Sequence, residues 1–349
     1  MSIRVTKLLE EKFPFSRAKR FNLYYRGGGK RRARQMIEQF MEEDLPAKEI
    51  RAHMRKMRRA YLLHFWRFNE YFLYHYYDLS RMGRKKYVTE TEKNKLCYNV
   101  NPQTLRSLFR NKAQTYYRFA KYYGRAVCEM HMWDRDREVY KQFVQEHHDY
   151  IVKPIDESVG TGIQILHGMQ EEQIKDMLES YRTGIVVEEL IEQDSRMGRP
   201  HPQSVNTVRI TTFIVGGEPF VLYPFLRFGR AGNVVDNGGK GGIFCAIDEE
   251  TGIITSGVDE RGRKYVVHPD TGEPIVGFQI PRWEEAITMA KELSGVIPEC
   301  RFVGWDLALT DKGWVMVEGN AHGQFVGFQL SRMQGVKEAL LSLDPDCLK

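Results

Sequence analysis

Three side chains with hard oxygen ligands, Asp306, Glu318 and Asn320, stand close together in the sequence. They lie on two short apolar segments, and the turn residues 311–313 between the segments predict a β-hairpin. The hairpin would bring Asp306 opposite Glu318, and alternation along the strand would put Glu318 and Asn320 on one face. Such oxygens are the ligands that Mg²⁺ prefers, and a Mg²⁺ ion with few protein ligands usually completes its shell with phosphate oxygens. The alternative is a hairpin whose acids are simply solvated.

A lysine and a small glycine loop follow one another upstream. The β-branched segment 151–153 ends in Lys153, and Gly160, Thr161 and Gly162 come soon after it. The backbone N–H groups of such a loop can turn inward and, together with the lysine, hold a phosphate group. No Gly-Lys-Ser/Thr follows the loop, so the segment is not a Walker A motif.

The apolar segment 184–191 runs into two acids, Glu188 and Glu189, and resumes with Leu190 and Ile191. A strand that passes into a linker in this way can offer backbone groups to the edge of an adenine ring. In that interpretation the carboxylate of Glu188 would accept a hydrogen bond from the exocyclic amine. The alternative is an edge strand with solvated acids.

Two arginines and a glycine-rich stretch lie between these segments and the hairpin. Residues 204–213 alternate in polarity, which predicts a strand with Arg209 on its more polar face. The planar guanidinium of Arg209 suits a γ-phosphate or an acyl-phosphate oxyanion. Arg227 precedes a glycine-rich stretch with Asn237 and Lys240, a composition that predicts a mobile cationic loop. A hairpin tip with a solvated charge is the alternative, because Asn-Gly is itself a turn signal.

The order of these motifs resembles the ATP-grasp superfamily, and specifically its sugar-transfer associated branch, which is similar to glutamate-ligase-like and D-alanine–D-alanine-ligase-like enzymes. The resemblance covers roughly residues 95 to 335 and rests on the spacing of five motifs. It implies an α+β fold in which two lobes grip ATP. It also implies that a carboxylate is activated as an acyl phosphate and then attacked by an amine.

The resemblance implies ATP-binding roles along the chain. It makes Lys153 and Lys112 the phosphate lysines. Gly160, Thr161 and Gly162 would form the lid over the β- and γ-phosphates. The adenine hinge would comprise Glu188, Glu189, Leu190 and Ile191. Many relatives have lysine where this chain has Glu189, so we expect recognition there through the backbone and not through the side chain. Gln193 or Asp194 lies where a ribose hydroxyl is usually held.

The remaining assignments concern the metal and the transferred phosphate. Asp306, Glu318 and Asn320 match the family's Mg²⁺ ligands. The catalytic set implied by the resemblance comprises Arg209, Arg227, Asn237 and Lys240. His322 could orient the second substrate or accept a proton from the amine, and a surface histidine in a glycine-rich turn is the alternative.

The composition agrees with a globular enzyme. The chain has 349 residues, of which 42% are hydrophobic and 28% charged, enough for two or three modules with a sizeable core. No run of about twenty apolar residues occurs, and no signal-peptide-like segment follows Met1, so we predict a cytoplasmic protein. The five cysteines are scattered and lack Cys-x-x-Cys spacing, which predicts reduced thiols and no zinc.

The first 95 residues are basic and rich in aromatic side chains, and the formal net charge of +6 is concentrated there. We predict helices at about 31–42, 47–78 and 102–123. The aromatic residues are spaced for a helix core and no known RNA- or DNA-binding module is visible, which argues against nucleic-acid binding. A basic face for an acidic substrate, or for an anionic membrane that carries a lipid-linked glycan, fits the charge. The parallel α/β domain with which many ATP-grasp relatives begin is not predicted.

Three regions are expected: a helical basic region at 1–95, a linker helix with the small lobe at 96–195, and the large lobe with the metal site at 196–349. The predicted function is that of an ADP-forming, ATP-dependent carboxylate–amine ligase. Its acceptor could be a small molecule, a glycan or a peptide, and the family name associates it with polysaccharide biosynthesis. A leader-guided ligase acting on peptides and a non-catalytic nucleotide-binding scaffold stay open as alternatives.

Overall fold

The structure, a computed structural model, describes residues 17–41, 45–134, 137–157, 161–230, 242–323 and 325–349. The chain divides into two units. One comprises Met1–Val100, Val258–Lys264 and Gln324–Lys349, and the other comprises Asn101–Gly257 and Tyr265–Gly323. These units are defined by internal contacts, so the functional division at residues 95 and 195 stays a prediction.

The first unit is helical. Its helices before residue 101 are α1 Arg17–Arg26, α2 Gly29–Phe40, α3 Ala47–His64, α4 Phe68–Leu73, α5 Arg81–Lys86 and α6 Glu90–Val100. The predicted helix at 31–42 corresponds to α2. Aromatic side chains fill much of the interior, and the buried rings include Tyr24, Tyr61, Trp66, Phe68, Tyr71, Phe72, Tyr74, Tyr76 and Tyr87. The aromatic segment is therefore a core, as its spacing predicted.

The single helix predicted over 47–78 is wrong, because the chain breaks between α3 and α4. Phe65 has a left-handed conformation with φ 64°, and the N–H of Trp66 donates to the carbonyl of Ala60 at 3.2 Å. No glycine or proline marks this break. One straight helix would direct only one face to the core, whereas the break lets Trp66 and Tyr71 both be buried, at 3% and 0% exposure.

The second unit begins with α7 Gln103–Arg110 and α8 Lys112–Phe119. The single helix predicted over 102–123 is therefore also wrong. Asn111 interrupts it, and the side chain of Asn111 caps α8 by accepting from the N–H of Gln114 at 2.9 Å.

A small antiparallel sheet with two helices follows. Its elements are β1 Val127–Met130, α9 Glu138–Glu146, β2 Asp149–Pro154, β3 Gln164–His167, α10 Glu171–Ser180 and β4 Ile185–Glu189. The strand order is β1-β4-β2-β3. Side chains of α9 and α10 such as Phe143 and Ile174 pack with Val152 and Val187 of the sheet. Alternation directs Lys153 and Glu188 away from that core.

A larger sheet completes the second unit. Its elements are α11 Ser195–Gly198, β5 Thr207–Val215, β6 Glu218–Phe228, β7 Ile243–Ile247, β8 Ile254–Val258, α12 Trp283–Val296, β9 Phe302–Thr310 and β10 Gly313–Asn320. The strand order is β10-β9-β5-β6-β7-β8. Val208 and Ile210 of β5 lie in the core together with Leu293 of α12, which leaves Arg209 on the opposite face as predicted. The α+β fold class is confirmed.

The β9–β10 hairpin has the predicted register. Asp306 is the Cα partner of Glu318, and Asn320 pairs with Gly304. Gly313 adopts φ 136° in the turn, a conformation that L side chains rarely adopt. A β-bulge lies between Met316 and Glu318.

The chain returns to the first unit with α13 Val326–Arg332 and α14 Lys337–Leu343. The side-chain amide of Gln329 accepts from the N–H of Val88 at 2.8 Å and donates to its carbonyl at 3.0 Å, which fixes α13 beside the start of α6. Within the described ranges, no helix has the length and apolar character that a membrane span requires. The side chains of all five cysteines are buried.

Candidate active site

The predicted metal ligands lie together at the open end of the β9–β10 hairpin. Their carboxylates belong to directly opposed residues, Asp306 and Glu318. The Nδ2 atom of Asn320 donates to Oε1 of Glu318 at 2.9 Å, so these two side chains share one face as predicted. The geometry therefore places two carboxylates and one amide oxygen at a single corner of the large sheet.

Two arginines hold Asp306. Arg209 is its Cα partner on β5, and its Nε and Nη2 atoms donate to the two carboxylate oxygens, each at 2.5 Å. The Nη2 atom of Arg227 lies 3.2 Å from Oδ1 and also donates to Thr207 at 2.7 Å. Burial raises the pKa of Asp306, but Arg209 and Arg227 together outweigh burial and lower the pKa to about 2. Asp306 therefore stays ionised at neutral pH.

Gly304 makes room for this ion pair, and it was missed in the sequence. A Cβ atom at Gly304 would lie 3.1 Å from Cδ and 3.3 Å from Nη1 of Arg209. The signal was present, because an isolated glycine inside an apolar strand often marks a close approach by another group.

Glu318 differs from Asp306 in its electrostatic surroundings. Its side chain is exposed to solvent, although protein atoms crowd around the carboxylate. Partial desolvation and the negative charge of Asp306 raise the pKa of Glu318. Two adjacent carboxylates with an amide oxygen therefore fit a divalent cation such as Mg²⁺.

A second charged cluster lies on the small sheet. Glu188 accepts from Nζ of Lys153 at 2.9 Å and from Nε and Nη2 of Arg125 at 3.0 and 2.7 Å. Burial raises the pKa of Glu188, but Lys153 and Arg125 outweigh that effect and lower it to about 2. The alternative of a solvated edge-strand acid is wrong here, because β4 lies between β1 and β2 and Glu188 is 3% exposed.

Arg125 also links the two sheets, a role that the sequence did not reveal. Its Nη1 atom donates to the carbonyl of Met316 on β10 at 2.7 Å and to the carbonyl of Tyr123 at 3.0 Å. It stands alone before β1, outside any motif, so no local pattern distinguishes it from a surface arginine.

Lys112 brings the two clusters into one electrostatic site. Its Nζ atom donates to the carbonyls of Pro154 at 2.9 Å and Glu157 at 2.5 Å, at the start of the glycine loop. Burial lowers the pKa of Lys112, Glu318 raises it, and Lys153 lowers it again. A lysine predicted for phosphate therefore lies within electrostatic range of both a metal-ligand candidate and the second lysine.

The glycine loop is described only in part, because Gly160 lies outside the described residues. Thr161 and Gly162 follow β2, and Gly162 has φ 73°. A Cβ atom there would clash with the ring of Tyr181 and lie 2.9 Å from Pro154, so both conformation and space require glycine.

The predicted adenine hinge leaves the small sheet after Glu189. The Glu189 carboxylate accepts from the N–H of Ala126 at 3.0 Å. Leu190 and Ile191 lie beyond the β4 ladders, so their backbone groups do not pair with a neighbouring strand there. This arrangement is compatible with recognition through the backbone.

The two candidates for ribose have partners within the protein. Asp194 caps α11 by accepting from the N–H of Arg196 at 2.9 Å, and it forms an ion pair with that side chain at 2.7 Å. Hydrogen bonding to Arg196 lowers the pKa of Asp194. Gln193 accepts from the N–H of Asn206 at 2.5 Å and so connects this segment to the start of β5. Their role towards a ribose stays a prediction.

The structure describes only the two ends of the predicted cationic loop. Arg227 lies on β6, which pairs with β7 in antiparallel orientation, while Asn237 and Lys240 lie outside the described residues. His322 is partly exposed and lies two residues after the end of β10. The roles of Asn237, Lys240 and His322 stay predictions.

Comparison with known proteins gives one family. The family described as sugar-transfer associated ATP-grasp matches residues 91–344. No curated relative matches the chain. The solved structures that resemble it include three ligases at low identity.

D-alanyl-alanine synthetase A from Vibrio cholerae is 11% identical with a TM-score of 0.42, and the match covers 69% of this chain and 63% of that one. An L-amino acid ligase from Bacillus licheniformis is 16% identical with a TM-score of 0.39, covering 69% and 48%. A D-alanine–D-alanine ligase from Bacillus anthracis is 11% identical with a TM-score of 0.42, covering 71% and 70%. The chain thus spans less than two-thirds of the length of the first two.

Proposed function

Because the chain belongs to the sugar-transfer associated ATP-grasp family, we propose that it is an ATP-dependent ligase that joins a carboxylate to an amine. The observation that carries the proposal is the bridge made by Arg125, which donates to Glu188, the partner of Lys153, and also to the carbonyl of Met316 on the strand that carries Glu318 and Asn320. Phosphate-binding candidates and a metal-ligand candidate, more than 160 residues apart in the chain, thereby meet in one place. Such a mixture of cationic and oxygen ligands suits a metal–triphosphate complex.

ATP would bind to the second unit, on the faces of the two sheets that carry Lys153 and Asp306. Its phosphates would lie at Lys112 and Lys153, with the backbone of Thr161 and Gly162 above them. Lys153 is held by Glu188 and therefore does not have to be ordered when the nucleotide arrives. The adenine edge would meet the backbone of Leu190 and Ile191.

The metal corner would hold Mg²⁺ through Asp306, Glu318 and Asn320. When bound, Mg²⁺ supplies positive charge that neutralises the β- and γ-phosphate oxygens. Arg209 and Arg227 keep Asp306 ionised and fix its orientation, so that the ligand is preformed before the metal arrives.

The proposed reaction has two steps. An oxygen of the substrate carboxylate attacks the γ-phosphorus in line, the bond to the β–γ bridging oxygen breaks, and ADP leaves. The amine nitrogen then attacks the acyl carbon, phosphate leaves, and the nitrogen loses one proton. Arg227 and Arg209 would stabilise the oxyanions of both steps through their positive charge, and catalysis would come mainly from positioning and charge neutralisation.

The substrate class is the finer part of the proposal. A sugar-linked carboxylate in polysaccharide biosynthesis follows the description of the family, and a peptide substrate is the second candidate. A non-catalytic nucleotide-binding scaffold is disfavoured because both carboxylates of the metal corner and the preformed Lys153–Glu188 pair are present.

Trapping with hydroxylamine tests the reaction without knowledge of the amine. An acyl phosphate reacts with hydroxylamine to give a hydroxamate, which forms a coloured complex with iron(III). We expect that a panel of uronic acids, amino acids and acidic peptides contains an acid that yields hydroxamate together with ADP and phosphate. AMP and pyrophosphate as the products would contradict acyl-phosphate chemistry. Nucleotide binding without turnover across all three classes of acid would favour the scaffold.

A further inference from the structure

The first unit contains a cavity of about 690 Å³ that none of the assigned roles uses. Its size falls within the range of small-molecule sites, roughly 300–1,000 Å³. Residues from α3 to α6, and one residue of α14, line it: Lys56, Arg59, His64, Trp66, Tyr76, Arg81, Arg84, Lys85, Tyr87, Thr89, Glu92 and Lys337. We call it the basic cavity.

The basic cavity carries an excess of positive charge. Its lining includes six lysine and arginine side chains but one carboxylate, that of Glu92. This carboxylate already forms an ion pair with Lys337, whose Nζ atom lies 2.6 Å from its Oε1 atom. Of the other five cations, four are exposed: Lys56, Arg59, Arg81 and Lys85. Among the described residues, no acidic side chain forms an ion pair with any of these four. Like charges gathered in one concave site repel one another, and an anionic ligand would relieve that repulsion.

The positive charges that line the cavity act on His64. Partial burial lowers the pKa of His64, and Arg59, Arg84 and Arg81 each lower it further. Three guanidinium groups from two different helices, α3 and α5, therefore act on the same histidine side chain. This supports the interpretation that the cations converge on the cavity and do not point separately into solvent.

Aromatic rings form the buried part of the lining. The centroid of Trp66 lies 4.7 Å from that of Tyr76 and 5.8 Å from that of Tyr87. The guanidinium of Arg84 lies 4.1 Å from the centroid of Tyr76, and its Nε donates to the Tyr76 carbonyl at 3.2 Å. The rings are thus fixed by packing, and a fixed apolar floor beneath a cationic rim suits a ligand with a ring and an anionic group.

We propose that the basic cavity is a binding site for a phosphorylated ring compound of the sugar-phosphate class. The phosphate would be held by the cations of α3 and α5, and the sugar ring would lie against the aromatic floor. A concave site of this size favours a small molecule, since a membrane surface would need a flat or convex face. The inference does not depend on ligase chemistry.

The test uses the full chain and two probes, glucose 1-phosphate and UDP-glucose, in calorimetric titrations. Glucose and inorganic phosphate each lack one half of the proposed ligand and serve as comparators. We expect at least one probe to bind about tenfold more tightly than either comparator, because ring and phosphate contribute together. If neither probe binds more tightly than phosphate, the proposal is overturned.

Matched variants locate the site. Lys56→Gln with Arg59→Gln removes two cavity cations from α3, and we expect affinity to fall about tenfold or more. Lys48→Gln with Arg51→Gln removes the same charges from exposed positions of the same helix that do not line the cavity, and affinity should be retained. If both double variants lose the same affinity, the effect comes only from the net charge of the protein, and the proposal is overturned.

Further measurements exclude other sources of binding. Arg81→Gln with Lys85→Gln removes cations from α5 and should repeat the loss, and thermal melting confirms that each variant is folded. Lys153→Ala should leave sugar-phosphate binding unchanged, which separates this site from the proposed nucleotide site. Binding to phosphatidylglycerol vesicles in the absence of binding to either soluble probe would assign the cations to a membrane surface and overturn the proposal.

Discussion

Arg209 donates one hydrogen bond to each carboxylate oxygen of Asp306, and both N···O distances are 2.5 Å. Both side chains are almost fully buried, at 8% and 2% side-chain exposure. A planar guanidinium is the only side chain that can make this fork, so the pair fixes the direction of the carboxylate as well as its charge. A proposed metal ligand is therefore held in place by a proposed phosphate-binding residue.

The first prediction concerns this fork. Arg209→Lys keeps the charge but removes the second, parallel hydrogen bond, so Asp306 should lose its fixed orientation. We expect turnover to fall about tenfold or more, and stability to fall by about 1–3 kcal/mol because a buried acceptor loses its partner. Arg118→Lys, an exposed arginine of α8, is the matched control. Unchanged ADP release in Arg209→Lys would show that orientation of Asp306 is irrelevant to the reaction.

The second prediction concerns the metal corner. Glu318→Gln and Asn320→Ala each remove one metal oxygen and little packing. We expect turnover to fall by about 10²–10³, the usual cost of losing one such electrostatic contact. Mn²⁺ binding, followed by electron paramagnetic resonance, should weaken in both variants and provides a readout that does not depend on activity. Glu299→Gln, an exposed acid after α12, is the control. Wild-type Mn²⁺ affinity in both variants would reject the metal site.

The third prediction concerns the phosphate lysine. Lys153→Ala removes the ammonium beside Glu188, and we expect affinity for a non-hydrolysable ATP analogue to fall about tenfold or more. Glu188 should remain ionised because Arg125 still donates to it at 2.7 Å. Lys175→Ala on α10 removes an exposed lysine from the same lobe and should leave affinity unchanged. Calorimetric titration makes the comparison, and equal affinities of Lys153→Ala and wild type would remove Lys153 from the site.

The sequence predicted those parts of the site that depend on local periodicity. The hairpin register that opposes Asp306 to Glu318 follows from a turn signal between two apolar segments, and the outward face of Arg209 follows from alternation. Both are properties of a few consecutive residues. They could therefore be inferred without knowledge of the rest of the chain.

What the sequence did not predict depends on partners distant in the chain. Glu188 is 63 residues from Arg125, and no pattern near either residue signals that they meet. The break after α3 likewise has no local signal, because no glycine or proline stands at Phe65. The basic cavity combines residues from α3, α5 and α14, which are distant in the chain. The excess of basic residues in the sequence therefore indicated the region of the chain, but it could not show which side chains line one cavity.

The last prediction concerns the pH dependence of the first unit. Glu70 is 2% exposed and accepts from the N–H of Arg67 at 2.7 Å and from the N–H of Glu90 at 2.6 Å. Burial raises its pKa from 4.5 to about 7, and the carboxylate of Glu90 adds to that effect, although the hydrogen bond from Arg67 opposes it. Between these two values the folded chain binds more protons than the unfolded chain, so stability should decrease as pH rises.

The decrease should be absent below about pH 4.5 and complete above about pH 7. Each pKa unit corresponds to about 1.4 kcal/mol, so the total change is at most about 3.5 kcal/mol. Hydrogen exchange of the amides of α4 and α6, corrected for the intrinsic effect of pH, measures this locally. Glu70→Gln cannot ionise and should lose the pH dependence, although it keeps only one acceptor atom for the two N–H groups. Glu49→Gln, an exposed acid of α3, should behave as wild type. If Glu70→Gln and wild type show the same slope across this range, a group other than Glu70 controls the pH response.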